Sequence, residues 1–194
     1  MDGDLDQILI TPQAISQRLD ALALEMSAVL PGENLVLMPV LTGGLVFAAD
    51  LMRRLPNRLT VACVNASSYA GARTHSSGNV RLTGLETARA AVRGKHVLLV
   101  DDILDTGLTL SALQGALAAS GALSVRTCVL LRKDRPQASA FPVDFCAFDI
   151  PDAFVVGYGL DFNGLYRNLP CIATLTPQAI ASGMAETKQQ EKPA

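Results

Sequence analysis

The sequence predicts one α/β domain built on a parallel sheet covered on both faces by helices. Three observations carry that expectation. Apolar runs of strand length alternate with segments of helical period, the order that produces a parallel sheet. The chain has 194 residues, 49% of them hydrophobic and 18% charged, enough for one well-buried domain with a small subdomain. No internal repeat and no linker divides it.

Thr11-Pro12 reads as an N-cap followed by proline at the first helical position. Behind it Ile15, Leu19, Leu22, Met26 and Val29 recur at helical spacing, predicting a helix over 12–30 that Pro31-Gly32 ends. LVLMPV (35–40) is a buried strand, LTGGLVFAADLMRR (41–54) a tight turn entering a second helix, and RLTVACVNA (59–66) the next strand. Residues 67–82, SSYAGARTHSSGNVRL, lose all helical period and predict a long loop with a hairpin from 79 to 84. Long loops in compact domains are more often functional than idle. A strand over 96–101 follows, then a turn and a helix through Ala119 that stops at Gly121. SVRTCVLL (124–131), VDFCAFD (143–149) and CIATL (171–175) complete the strands, and the polar stretch after Pro177 predicts a flexible or loosely docked tail.

The bulk numbers exclude several classes. A formal charge of −2 offers no polybasic surface for nucleic acid or anionic membrane. No apolar run approaches the roughly 18 residues of a spanning helix. The N-terminus, MDGDLDQILI, is acidic where a signal peptide is basic, which predicts a cytoplasmic protein. Cys63, Cys128, Cys146 and Cys171 form no CxxC pair and sit mostly in apolar runs, so buried reduced thiols are expected rather than a zinc site.

The stretch VLLVDDILDTGLTL (97–110) carries the chemistry. A buried strand ending in Asp101 and Asp102 places two carboxylates at the carboxyl end of a sheet, where ligands of α/β folds sit. Carboxylates that close repel, which a diol or a bound cation relieves. The following Asp105, Thr106, Gly107, Leu108 and Thr109 supply successive backbone N–H groups and two hydroxyls leading into a helix N-terminus, a nest for an anion. Hydroxyl recognition beside anion recognition implies a phosphorylated ribose. The plainer alternative is that Asp105 or Thr106 caps the helix from 108 onward and the other aspartates are solvated.

The fourteen residues closely resemble the phosphoribosyl-pyrophosphate (PRPP) binding motif of type I phosphoribosyltransferases. LTGG (41–44), SSY (67–69), RKD (132–134), PDAFVVGYGLDF (151–162) and Arg167 match, in order and spacing, the hypoxanthine-guanine branch of that superfamily. The resemblance covers roughly residues 10–175. It implies a Rossmann-like parallel sheet flanked by helices, residues 1–178 as the phosphoribosyltransferase domain with a small hood from about 1–15 and 145–175, and 179–194 as the flexible tail. It further implies Mg2+-dependent transfer of phosphoribosyl from PRPP to N9 of a 6-oxopurine in purine salvage, by a homodimer or homotetramer.

Site roles follow from the same resemblance. Asp101 and Asp102 hold the ribose hydroxyls, Asp105 through Thr109 wrap the 5′-phosphate, and Asp105 is the general base near the purine N7. Lys133 donates to the exocyclic oxygen, Phe154 stacks on the purine, and the carbonyl of Val155 reads its other edge. Thr42, Gly43, Gly44 and Arg167 contact pyrophosphate, Asp161 is linked to magnesium with Asp101 and Asp102 as further candidates, and Ser68 and Tyr69 tip a lid. The chain departs from the usual pattern at Thr42, where relatives commonly carry Lys or Arg, and at Asp101, where many have Glu. A third departure is Ala70, where glycine often follows the lid tyrosine. Competing expectations are a xanthine- or other base-preferring enzyme of the same class and a non-catalytic PRPP-sensing regulator; the retained Asp105 and the absence of a basic patch weigh against the regulator.

Overall fold

The computed structural model describes residues 3–68 and 80–190. In chain order the elements are β1 (Leu5–Ile10), α1 (Pro12–Ser27), β2 (Leu35–Leu41), α2 (Gly44–Met52), β3 (Leu59–Val61), β4 (Val64–Ser68), β5 (Val80–Thr83), α3 (Leu85–Val92), β6 (His96–Leu104), α4 (Leu108–Ala119), β7 (Ser124–Lys133), α5 (Pro136–Ala140), β8 (Phe145–Ile150), β9 (Val155–Val156), β10 (Ile172–Leu175) and α6 (Pro177–Gln190). They fall into two compact units, one comprising Leu19–Asp152 and the other the segments up to Arg18 and from Ala153 onward.

The larger unit holds a seven-stranded sheet in the order β5-β4-β2-β6-β7-β8, with β3 also paired to β2. Pairings among β2, β3, β4, β6, β7 and β8 are parallel, and β5 alone runs antiparallel, against β4. Strands buried on both faces need continuous apolar sequence, and β2 is buried from Leu35 to Val40 while Val97 to Val100 of β6 are fully inside. A core of Val36, Met38, Val64, Val92, Leu99, Leu113, Leu117 and Val129 fills one side of the sheet.

The expected strand over 59–66 is two pieces. Leu59–Val61 pairs with the start of β2 and Val64–Ser68 with its end, after a break at Ala62 and Cys63. The hairpin expected from 79 to 84 appears instead as β5 pairing with β4, from Asn65↔Thr83 to Ser68↔Val80. Helix α3 has no counterpart in the sequence expectation. Its apolar face is only Leu85, Ala88 and Val92 on eight residues and its N-cap is Gly84 at φ +83°, so a short stripe with no polar cap announced it. Both β6 and β7 run two or three residues past their expected ends, because Ile103↔Leu131 and Leu104↔Arg132 continue the ladder. Cys63 is exposed and Cys146 only half-buried, against the expectation of buried thiols; none of the four cysteines is in a disulfide.

The smaller unit contains a three-stranded antiparallel sheet in the order β1-β10-β9. Tyr166 Oη donates to Asp4 Oδ2 at 3.1 Å, and Thr176 N donates to Asp4 O at 2.8 Å. The expected hood range reached back to residue 145, but β8 (145–150) is an edge strand of the large sheet, held by its parallel ladder with β7. Residues 177–190 form α6, which takes in most of the 179–194 stretch expected as a flexible tail. Thr176 Oγ1 accepts from Ala179 N at 3.2 Å, Pro177 opens the helix, and Ala, Met, Glu, Lys and Gln favour it, a propensity that polar composition conceals. Thr11 caps α1 as expected, with Ala14 N donating to its Oγ1 at 3.2 Å.

Candidate functional site

In the larger unit, β2, β6, β7 and β8 are parallel neighbours, so the segments that follow them emerge at one edge of the sheet. Those segments are Thr42–Gly44, Asp105–Thr109, Asp134–Arg135 just after Lys133, and Asp152. Ligand sites of open α/β sheets lie there because helix N-termini and loop amides converge at the carboxyl ends of the strands.

The first two segments meet at the aspartate pair. Asp101 lies within β6 and is only 7% exposed, and its Oδ1 accepts from Asp102 N at 3.0 Å. Burial, and secondarily the Asp102 charge, push its carboxyl well above the usual range. Gly43 lies directly against this pair: a Cβ there would stand 1.6 Å from Asp102 Oδ2, and one on Gly44 2.8 Å from Val100 O. The two glycines therefore let the β2–α2 turn approach the end of β6 more closely than any side chain permits. The peptide Leu41-Thr42 before them is cis.

The turn after β6 is an open cradle. Neither Asp105 nor Thr106 caps α4, as the plainer sequence alternative required. The N-cap is Gly107 at φ +78°, with no side-chain cap hydrogen bond. A Cβ on Gly107 would stand 2.6 Å from the Phe141 ring, so conformation and space both demand glycine. The uncapped helix start opens on a cleft of about 60 Å³ lined by Asp101, Asp105, Thr106, Gly107, Thr109 and Leu110 among others. Backbone donors and a favourable dipole make such a cleft a receptor for an anion.

At the end of β7, Lys133 is nearly covered, its side chain 12% exposed, with Nζ 3.6 Å from Asp152 Oδ1. Arg135, absent from the sequence expectation, binds two carboxylates at once: Nη1 to Asp105 Oδ1 at 2.5 Å and Nε to Asp152 Oδ2 at 2.6 Å. Hydrogen bonding to Arg135, with a smaller contribution from Lys133, holds Asp152 below the usual carboxylate range. RKDR (132–135) offered the arginine to a sequence reading, but nothing in its spacing points to an aspartate thirty residues earlier.

The smaller unit holds Phe154, Val155, Asp161 and Arg167. Phe154 is half-exposed rather than core, its ring edge-to-face with Phe162 at a centroid distance of 5.4 Å and 78°. Val155 is buried in β9 opposite Thr174. Arg167 is fixed twice, its Nη1 donating to Gly159 O at 2.6 Å and its Nη2 2.7 Å from Asp161 Oδ1. The second oxygen of Asp161 accepts from Gly164 N at 2.8 Å. Ser68 ends β4, and Tyr69, the other expected lid residue, lies outside the described residues.

The chain is similar to known proteins along most of its length. A family model described as a phosphoribosyl transferase domain matches residues 4–163. The chain is similar to the hypoxanthine-guanine phosphoribosyltransferase of Mycobacterium avium, 38% identical over 182 residues that span 91% of this chain and 88% of that protein. It is also similar to the hypoxanthine-guanine-xanthine phosphoribosyltransferase of Tritrichomonas foetus, 36% identical over 176 residues, 90% of this chain and 94% of that one. A solved structure of the hypoxanthine phosphoribosyl transferase of Trypanosoma cruzi superposes with a TM-score of 0.83 at 35% identity, covering 94% of this chain and 97% of that chain.

Proposed function

Because the chain belongs to the phosphoribosyl transferase family, among its hypoxanthine-guanine phosphoribosyltransferases, we propose that its strand-end residues carry 5-phosphoribosyl from PRPP to N9 of hypoxanthine or guanine, giving IMP or GMP and pyrophosphate. The observation that carries this reading is the approach of Gly43 and Gly44 to Asp101 and Asp102 beside the open turn 105–109. Diol acceptors, an anion cradle and a glycine turn converge where a phosphorylated sugar with a pyrophosphate leaving group needs them.

Each residue has a role. Asp101 and Asp102 accept from the ribose 2′- and 3′-hydroxyls. The amides and hydroxyls of Asp105, Thr106, Gly107, Leu108 and Thr109 hold the 5′-phosphate. Displacement of pyrophosphate from C1 passes through an oxocarbenium-like state, and the neighbouring carboxylates stabilise its positive charge. Asp105 accepts the proton that the purine loses on joining through N9. Lys133 donates to the exocyclic oxygen, Phe154 stacks on the base, and the Val155 carbonyl accepts from the base's other edge. Thr42, the amides of Gly43 and Gly44, and Arg167 bind the pyrophosphate, and the role we propose for Ser68 and Tyr69 is to keep water from the reacting carbon.

Among the described residues no three His, Cys, Asp or Glu gather into a metal cage. Asp161 is the acid we propose for Mg2+, with Asp101 and Asp102 as further candidates, since carboxylate oxygens are the hard donors this ion would take. The ion would supply neutralisation of charge on the leaving pyrophosphate. No helix among the described residues is long and apolar enough to cross a membrane, and a cytoplasmic homodimer or homotetramer is the setting we propose.

The test is pyrophosphate release from PRPP and Mg2+ with hypoxanthine, guanine or xanthine. Turnover is expected with the first two. PRPP binding without release on any of the three would leave a PRPP sensor and overturn the enzyme reading.

Gly43→Ala probes the turn separately. Gly43 has φ −61° and ψ −45°, which alanine adopts without strain, so the substitution acts only by pushing the Asp102 carboxylate aside. PRPP affinity is expected to fall about 10-fold, the loss of roughly one good hydrogen bond, with little change in Tm. Unchanged affinity by calorimetric titration would show that Asp102 does not hold the sugar where it now stands.

A further inference from the structure

Lys133, Asp152, Arg135 and Asp105 form one unbroken chain of charges within the larger unit, with contacts of 3.6, 2.6 and 2.5 Å. The chain joins the residue read above as the reader of the base to the residue read as acceptor of its proton. Its two middle members have no role in that reading.

We propose that Arg135 is a positioning residue for the transfer step. It holds the Asp105 carboxylate by Oδ1, while Asp152 fixes Arg135 and Lys133 together, so that base recognition and proton acceptance share one frame. The inference rests on the roles given to Asp105 and Lys133 under the proposed function.

The backbone prepares Arg135 for this task. Its N–H donates to Lys133 O at 2.9 Å and its carbonyl accepts from Ser139 N at 2.9 Å at the start of α5. Asp134 N donates to Ile150 O at 2.8 Å, which ties the same loop to the end of β8 just before Asp152. On the other side, the turn bearing Asp105 rests through Gly107 against Phe141, the residue that ends α5. The loop that carries the arginine and the turn that carries the aspartate are thus packed on the same short helix.

Guanidinium geometry suits this role. A planar fork that gives one N–H to each of two carboxylates sets the distance and angle between them, which a lysine ammonium on a flexible stem does not. The hydrogen bond uses only Oδ1 of Asp105, so Oδ2 remains an acceptor for the purine proton. The side chains of Arg135, Asp105 and Asp152 are 35%, 43% and 42% accessible, and pairs that open contribute little to stability. An orienting role explains two short bonds from one arginine at a ligand-binding edge better than a structural one.

A mutant cycle tests this, read as the single-turnover rate of phosphoribosyl transfer to hypoxanthine at saturating PRPP and Mg2+. Arg135→Gln is expected to slow transfer about 10–100-fold, the penalty for a reacting group displaced by an ångström or so, with PRPP affinity kept within about 3-fold. Asp152→Asn is expected to slow transfer in the parent but to add less than about 2-fold in the Arg135→Gln background, since its effect runs through the arginine. Arg135→Lys is expected to stay close to Arg135→Gln. A parental rate in Arg135→Gln, additive losses in the double variant, or recovery of the rate by lysine would each overturn the inference. Asp105→Asn run alongside separates it from its premise. If that variant is slow while Arg135→Gln is unaffected, only the positioning role falls; if Asp105→Asn keeps the parental rate, the reading of Asp105 as proton acceptor falls.

Discussion

Asp105→Asn is expected to lower the single-turnover rate with hypoxanthine by about 10²–10⁴-fold, the range spanned by general-base contributions, while PRPP binding changes only a few-fold. The substitution is chosen for what it preserves. Asparagine has the same shape, so its carbonyl oxygen can still accept from Arg135 and the turn 105–109 keeps its backbone. The phosphate cradle rests on the Gly107 conformation and the start of α4, neither of which depends on a carboxylate at 105. What is lost is the capacity to take up a proton. Guanine should show the same loss as hypoxanthine, because both bases shed a proton on joining through N9. A rate within about 10-fold of the parent would show that solvent or another group accepts the proton. Comparison with Arg135→Gln is informative: removing the acceptor outright should cost more than misplacing it.

Much of this site was legible because its parts are local in sequence. The strand, the aspartates and the glycine turn of 97–110 follow one another, and a buried strand followed by small polar residues dictates both a strand end and a helix start. Thr11-Pro12 announced α1 for the same reason, a short-range hydrogen bond that two residues specify. The parts that escaped depend on distant segments or on weak apolar signals. Arg135 reaches Asp105 across thirty residues through packing of α5 against the β6–α4 turn, and no periodicity encodes that. Strand β1, with three exposed residues among its first four, shows its character only when β10 pairs with it. Phe154 misleads in the opposite direction: its apolar setting argues for core, yet it stands half-exposed against Phe162 while its neighbour Val155 is buried. Local propensity fixes an element's type, whereas exposure of a single ring depends on what the rest of the fold leaves uncovered.

Asp101→Asn is expected to make the protein more stable and a worse binder of PRPP. Asp101 is buried beside Asp102, and its carboxyl titrates well above the usual range, first because burial disfavours the charged form and then because of the neighbouring charge. The folded protein therefore binds a proton at this position more readily than the unfolded chain. Stability is intact below the unfolded value near 4 and falls as pH rises from there through the raised value. Asparagine has no proton to lose, and its carbonyl can keep the hydrogen bond from Asp102 N, now 3.0 Å. At neutral pH the variant should melt higher than the parent, with each 1 kcal/mol gained worth roughly 2–4 °C in a protein of this size. The gap should close as pH falls below about 4, where aspartate is protonated in both states. PRPP affinity should drop about 10–100-fold, because a hydrogen bond from a ribose hydroxyl to a charged acceptor is worth about 1.5–3 kcal/mol. Melting curves between about pH 3.5 and 8, with calorimetric titration of PRPP and Mg2+ at neutral pH, check both halves. A variant less stable than the parent at neutral pH, or a melting gap that does not change with pH, would mean that Asp101 is not held against its own charge. The opposed signs matter together: a buried carboxylate that destabilises the empty protein is retained where a bound diol or cation can take up its charge.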